Sequence, residues 1–177
     1  MQANSTRPPL LAHGKRGANL TIVGATGHQQ LPADAIPYLV DQVRRTVRAY
    51  EPPLSVACSL AAGADQLIAR EALQCGGRLL VIVPARGYES TFSHKELRSY
   101  ENLMAQADDV TRLDFSDPSE RAYWAAGQAV VDLCDVLVAI WDGQPARGLG
   151  GTGDVVDYAA QVGKEVRVIW PNGLARV

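Results

Sequence analysis

The chain has no charge surplus of one sign. Its 17 Lys and Arg stand against 19 Asp and Glu, a formal net charge of −2. That balance gives no global attraction to nucleic acid or to an acidic membrane surface. No apolar run reaches the roughly 18 residues of a membrane span, and no signal peptide is recognisable. A cytoplasmic protein without a membrane partner is expected. Cysteine is scarce: Cys58, Cys75 and Cys134 sit among apolar neighbours without zinc-type spacing. That excludes a disulfide framework and points to buried free thiols in a reducing compartment. His13, His28 and His94 also lack ligand spacing, so neither a metal nor a cofactor is expected. Internal repeats and low-complexity segments are absent too.

What is present is an alternation. Residues 1–18 contain Arg7, Lys15, Arg16 and Pro8-Pro9 and no acid, the composition of a disordered tail. From residue 19 to residue 177 one domain is expected, since 177 residues suffice for one sizeable core. Strands are predicted at Asn19–Gly24, Leu54–Ser59, Arg78–Val83, Val110–Phe115, Val136–Ile140 and Val166–Trp170. Helices fall between them: Pro32–Tyr50, Gly63–Gln74, His94–Gln106, one opened by Ser116-Asp117-Pro118 and ending at Leu133, and Val155–Val162. Such alternation predicts an α/β fold, a Rossmann-like three-layer α/β/α sandwich with a mostly parallel sheet of about six strands. Ligands of such sheets bind beyond the carboxyl ends of the strands, where the strand order switches.

That rule selects three loops. The richest runs from Asp142-Gly143 to Gly148-Leu149-Gly150-Gly151-Thr152-Gly153. It joins a buried strand to a helix, so free N–H groups and the helix dipole favour an anion there, most often a phosphate. Glycine lets the backbone approach such a ligand closely. Asp142 can accept from sugar hydroxyls, Thr152 can donate to phosphate, and Arg147 either reaches in or is solvated rim. The pattern Gly148-x-Gly150-x-x-Gly153 mimics a dinucleotide fingerprint. It falls near the end of the chain, and no acid follows the last strand, which excludes a standard NAD dehydrogenase. The second loop is Gly24-Ala25-Thr26-Gly27-His28, where His28 can bond a phosphate or act as acid or base. The third is Ser59-Leu60-Ala61-Ala62-Gly63-Ala64-Asp65. Asp65 there either bonds backbone or binds a ribose hydroxyl. Two helix N-termini aimed at one crevice suit a nucleotide-like small molecule. The expected ligand-binding set is Gly24, Thr26, Gly27, His28, Ser59, Leu60, Gly63, Ala64, Asp65, Asp142, Gly143, Gly150, Gly151, Thr152 and Gly153.

Those segments, with residues 135–153, resemble the SLOG superfamily, which gathers DprA recombination mediators, LOG phosphoribohydrolases and molybdenum-cofactor carriers. The 59–65 loop is similar to the Ser-Gly-x-Ala-x-Gly-Ile-Asp signature of DprA, one residue shorter and with Leu60 in place of Gly. Tyr88, Phe92 and Tyr123-Trp124-Ala125-Ala126-Gly127 resemble stand-alone bacterial members. The resemblance implies nucleotide binding and a homodimer. LOG enzymes carry a catalytic glutamate after Gly-Gly-x-Gly-Thr, and Val155 stands at that position here. An apolar side chain cannot assist the loss of a base. Deoxyribosyltransferases need a nucleophilic glutamate, and Glu89, Glu96 and Glu101 lie in the corresponding region without distinctive neighbours. DprA-type binding of single-stranded DNA needs a basic groove, whereas Arg44, Arg45 and Arg48 lie on the first helix. The leading reading is therefore a nucleotide sensor or carrier with no catalytic residues. An N-glycosidic-bond enzyme is the alternative, and DNA binding stands third. Tyr123, Trp124, Val130 and Val131 spread apolar side chains around one helix, which a second subunit would cover.

Overall fold

A computed structural model of the protein describes residues 20–146 and 148–176. The expected tail, Asn19, His13 and Arg147 lie outside the described residues. Six strands form one sheet: β1 (Thr21–Gly27), β2 (Leu54–Cys58), β3 (Arg78–Val83), β4 (Asp109–Arg112), β5 (Val136–Ile140) and β6 (Glu165–Ile169). Their order is β4-β3-β2-β1-β5-β6, and every neighbouring pair is parallel. The chain winds outward from β1 to β4, then returns to place β5 on the other side of β1. The switch point lies between β1 and β5, where Gly27 pairs with Ile140.

Five α-helices connect them: α1 (Ile36–Arg48), α2 (Ala64–Gln74), α3 (His94–Met104), α4 (Glu120–Leu133) and α5 (Thr152–Gln161). Short 3-10 turns occupy Ala33–Ala35 and Tyr88–Thr91. β2 and β5 are buried along their whole length, as strands covered on both faces must be. On one face Val23, Val56, Val81 and Val138 meet Leu39, Val43 and Val47 of α1, Leu67 and Ile68 of α2, and Leu103 of α3. On the other, Ile22, Ala57, Leu137 and Ala139 meet Val130 and Val131 of α4 and Val155 and Val156 of α5. The alternation of side chains along each strand divides the core into these two layers.

The two edges are polar. β4 is the shortest strand and almost wholly exposed, a common protection against edge pairing. Two aspartates tie strand starts together. Asp108 accepts from the Leu79 N–H at 2.9 Å, and Asp135 accepts from the Ile22 N–H at 2.8 Å. The helix expected from Ser116-Asp117-Pro118 starts later. Ser119 caps it, its hydroxyl accepting from the Ala122 N–H at 3.3 Å. Ser93 and Glu96 form a capping box at α3, satisfying two N–H groups reciprocally.

Candidate functional site

A cavity of about 610 Å³ opens at the carboxyl ends of β1 and β5. Its walls come from the end of β1 (Ala25–Gln30), the loop after β2, the glycine-rich segment after β5 and one face of α4. Each of the three expected loops therefore reaches it, although the residues that face it differ from the expected set.

β1 continues through Gly27, so Gly24 and Thr26 are strand residues rather than loop residues. Gly24 lies outside the cavity wall. A Cβ there would come within 2.8 Å of Cys134 Sγ and 3.1 Å of Leu137 Cδ1, so this glycine serves core packing. Thr26, Gly27 and His28 do line the cavity. Gly27 also packs tightly, its virtual Cβ falling 2.5 Å from both Ala64 Cβ and the Ile140 carbonyl oxygen. His28 Nε2 lies 3.0 Å from Asp142 Oδ1, and the ring stands edge-on to Trp170 at 5.1 Å. With its proton on Nε2, His28 donates to the carboxylate; with Nε2 unprotonated, that nitrogen accepts from the Asp142 N–H at 3.1 Å.

In the second loop Ser59 and Asp65 face the cavity, with Ala61 and Ala62. Leu60, Gly63 and Ala64 do not. Leu60 is fully buried in the core with φ +55°, a left-handed conformation rare for an aliphatic residue. Its carbonyl accepts from Gln66 Nε2 at 3.1 Å. Gly63 has φ +76°, and a Cβ on it would sit 2.3 Å from the Gln29 carbonyl oxygen. This is a packing contact between loops. The N-terminus of α2 is consumed by protein as well: Ala64 N–H donates to the His28 carbonyl at 3.0 Å and Gln66 N–H to the Ala61 carbonyl at 3.3 Å. The start of α5, by contrast, brings open N–H groups to the cavity wall.

Asp65 is the most perturbed acid of the site. Its Oδ2 accepts from the Ser59 and Ala61 N–H groups at 3.1 and 3.3 Å. Burial raises its carboxyl from 3.8 to about 7, and these two hydrogen bonds only partly oppose the rise. The backbone that Asp65 bonds is that of its own loop. Burial likewise pushes the Cys58 thiol and the Tyr88 hydroxyl well up, with the Asp65 charge adding to both.

In the glycine-rich loop Gly150, Gly151, Thr152 and Gly153 line the cavity, whereas Asp142 and Gly143 do not. Asp142 turns its carboxylate to His28, to the Gln144 N–H at 3.1 Å and to Arg176 Nε at 3.5 Å. Burial raises that carboxyl, but the Gln144 and His28 hydrogen bonds and the His28 and Arg176 charges outweigh it and hold it below its ordinary value. The glycines have packing reasons. A Cβ on Gly150, at φ +80°, would meet the Trp124 nitrogen at 2.6 Å. One on Gly151 would meet Ala146 Cβ at 2.9 Å, and one on Gly153 the Ala146 nitrogen at 2.8 Å. Asp154 Oδ2 accepts from the Gly150 N–H at 2.9 Å and fixes the turn. Among the described residues nothing accepts from the N–H groups of Thr152, Gly153 and Asp154 at the start of α5.

Several wall residues were not in the expected set. Arg176 arrives from the C-terminal segment, held by Asp142 and by the Pro145 carbonyl at 3.2 Å. No periodicity marks a residue so far from any motif. Tyr88, Phe92 and Tyr123 supply an aromatic wall, with Tyr88 and Phe92 rings 5.0 Å apart. In the sequence, only the family resemblance marks Tyr88 and Phe92, whereas Tyr123 also belongs to the apolar belt of its helix. Glu96 and Glu120 complete the rim. Glu96 is committed to the Ser93 cap, whose hydroxyl and N–H hold its carboxyl below the usual value. Glu89 lies 3.8 Å from Arg112, and Glu101 is exposed on α3. Val155, in place of the LOG glutamate, is 3% exposed and packs on Gly127 of α4. Among the described residues no His, Cys, Asp and Glu gather in a group that could hold a metal ion.

The apolar belt of α4 finds its partners inside the chain. Trp124 stacks edge-on with Tyr158 at 5.6 Å, Tyr123 faces Tyr88 at 6.2 Å, and Val130 and Val131 are core residues. α5 and the 88–92 segment thus cover part of the face on which a dimer is expected, and Tyr123 and Trp124 stay half-buried. Arg44 reaches across to Glu71 at 2.6 Å, and Arg45 to Asp41 at 2.8 Å. Among the described residues no helix is long and apolar enough to cross a membrane.

No family model and no curated protein matches the sequence. Solved structures do match. DNA processing protein A (DprA) from Streptococcus pneumoniae superposes with a TM-score of 0.64 at 16% identity, over 88% of this chain and 52% of that one. DNA processing protein A from Helicobacter pylori, whose single-stranded DNA binding mode has been described, gives 0.63 at 14% identity, over 89% and 69%. The chain spans about half the length of the Streptococcus protein. At these identities the likeness shows the architecture: the chain has a Rossmann-like α/β fold like that of these two DprA structures.

Proposed function

We propose that the protein binds a nucleotide or nucleotide-derived ligand in the cavity at the carboxyl ends of β1 and β5, as a sensor or carrier. The observation that carries this reading is the meeting, in one cavity of about 610 Å³, of the open N–H groups of Thr152 and Gly153 at the start of α5 with the buried carboxyl of Asp65. The volume lies within the roughly 300–1,000 Å³ of small-molecule sites. Open N–H groups at a helix start favour an anionic group. Sensing or carriage is favoured over bond cleavage because the residue in the catalytic-glutamate position, Val155, is a packed core side chain. Extension of the Helicobacter protein's DNA binding to this chain is not favoured. Among the described residues the charged wall side chains are Asp65, Glu96 and Glu120 against Arg176 and a histidine, which make no basic groove.

Thermal unfolding of the full chain with AMP, GMP, CMP, UMP, ADP-ribose or NAD tests this. A ligand at about a hundredfold its Kd adds about 2.7 kcal/mol. For a chain of this length that raises Tm by roughly 5–10 °C. No shift with any of these compounds at millimolar concentration would overturn the reading.

A further inference from the structure

Asp65 and Tyr88 are only 6% and 4% exposed, and both line the cavity. Both recorded bonds of Asp65 end on Oδ2. Among the described residues no group bonds Oδ1 and none bonds the Tyr88 hydroxyl, yet neither atom is sealed inside the protein. The sealed, unpaired polar atoms are the hydroxyls of Tyr50 and Tyr100. The free carboxylate oxygen and the free phenol therefore keep their remaining surface on the cavity. A buried polar group without a partner costs stability, so two such groups lining one cavity are placed for a ligand.

We propose that Asp65 and Tyr88 form a subsite for the vicinal hydroxyls of a ribose-type sugar, Asp65 Oδ1 bonding one hydroxyl and the Tyr88 phenol the other. This rests on the nucleotide reading of the cavity. A phosphate is excluded from this end, because among the described residues no cation pairs with the buried carboxylate. An exocyclic amine can only donate, whereas a hydroxyl donates to a carboxylate and accepts from a carboxylic acid. Asp65, held up at about 7, populates both forms near neutrality, and a hydroxyl suits either. Phe92 and Tyr123 beside them offer apolar faces to the sugar carbons. The open N–H groups of α5 lie in another wall of the same cavity, leaving the anionic end of the ligand a separate place.

The test is calorimetric titration of the full chain with AMP, GMP, CMP and UMP and with their 2′-deoxy counterparts. At least one ribonucleotide is expected to bind about tenfold or more tightly than its deoxy form, the loss of one buried charge-assisted hydrogen bond. Asp65→Asn and Tyr88→Phe should each reduce that preference severalfold, mainly by weakening the ribonucleotide. Tyr88→Phe keeps the ring contacts with Phe92 and Tyr100, so it reads the hydroxyl alone even if Asp65→Asn folds poorly. Ribo- and deoxynucleotides binding within twofold of each other would overturn the diol subsite and leave nucleotide binding standing. An undiminished preference in Tyr88→Phe and Asp65→Asn would overturn it as well. Failure of all eight probes, and of ADP-ribose and NAD as well, to bind would overturn both readings.

Discussion

Replacing Asp65 by Asn should change how stability depends on pH, and the structure sets the size and the sign. The folded chain buries the Asp65 carboxyl and raises it from 3.8 to about 7. Burial penalises the charged form, and two N–H groups on one oxygen do not make up the loss. The ionisable neighbours, Cys58 and Tyr88, are themselves pushed up and neutral at pH 7. A displacement of that size is worth roughly 4 kcal/mol at about 1.36 kcal/mol per tenfold. The folded state binds this proton more tightly than the unfolded chain, so between about pH 4 and pH 7 stability falls as pH rises. The contribution is complete below about pH 4 and gone above about pH 7. Between pH 5 and pH 8 about 2–3 kcal/mol of it should be visible. An asparagine keeps an oxygen for the Ser59 and Ala61 N–H groups and carries no titration. Urea unfolding of both proteins at pH 5, 6, 7 and 8 isolates Asp65, because every other titrating group cancels in the difference. With a slope near 2 kcal/mol/M, the wild-type midpoint should fall by about 1 M relative to Asp65→Asn over that range. A difference between the two proteins that stays constant within about 0.5 kcal/mol would refute the assignment of a buried, largely protonated carboxyl.

The loops and helix contacts make further expectations. Gly63→Ala puts a Cβ 2.3 Å from the Gln29 carbonyl oxygen at φ +76°, and should cost about 3–5 kcal/mol in urea unfolding from combined strain and overpacking. Gly127→Ala meets Val155 Cγ2 at 2.6 Å and should lose about 1–3 kcal/mol; Val155→Ala in the same chain should restore part of it, so purely additive losses would refute the contact. Arg44→Ala leaves the carboxylate of Glu71, a residue 3% exposed, without the 2.6 Å ion pair seen here, and should cost about 1–3 kcal/mol, measured as a lower Tm.

The fold was legible because its strands are short apolar runs and its helices carry one apolar stripe. Leu39, Val43 and Val47 recur at helical spacing and do face the sheet. The cavity lies where the strand order implied by such a pattern places a crevice, beyond the carboxyl ends of β1 and β5. Individual site residues were less legible, for definite reasons. The end of β1 contains Gly24 and Gly27, which read as loop residues, yet both are glycine because Cys134 and Ala64 leave no room for a side chain. Leu60 looked like a loop residue beside a ligand, but its left-handed backbone turns the side chain into the core. The helix start read at Ser116 falls instead at Ser119, whose extended backbone lets its hydroxyl accept from the Ala122 N–H. Arg176 could not be found at all, because its place in the cavity depends on a C-terminal segment folding back over Asp142.

The glycine-rich loop was read as open backbone awaiting a phosphate, and its packing gives the glycines a different task. Gly150 lets the loop touch the backbone of α4, while Gly151 and Gly153 let it fold on Ala146. Asp154 then locks the turn through the Gly150 N–H. A loop held this way needs little ordering when a ligand arrives, which favours binding through pre-organisation. The same packing leaves three N–H groups of α5 unused and fixes their direction. An anion recognised by backbone N–H groups alone gives affinity with little discrimination, since any phosphate presents similar oxygens. Discrimination must then come from side chains on other elements: Asp65 at the start of α2, Tyr88 before α3, Tyr123 on α4 and Arg176 beyond β6. Members of one fold can therefore keep the loop and change the ligand, because the residues that choose it lie outside the motif that identifies the fold.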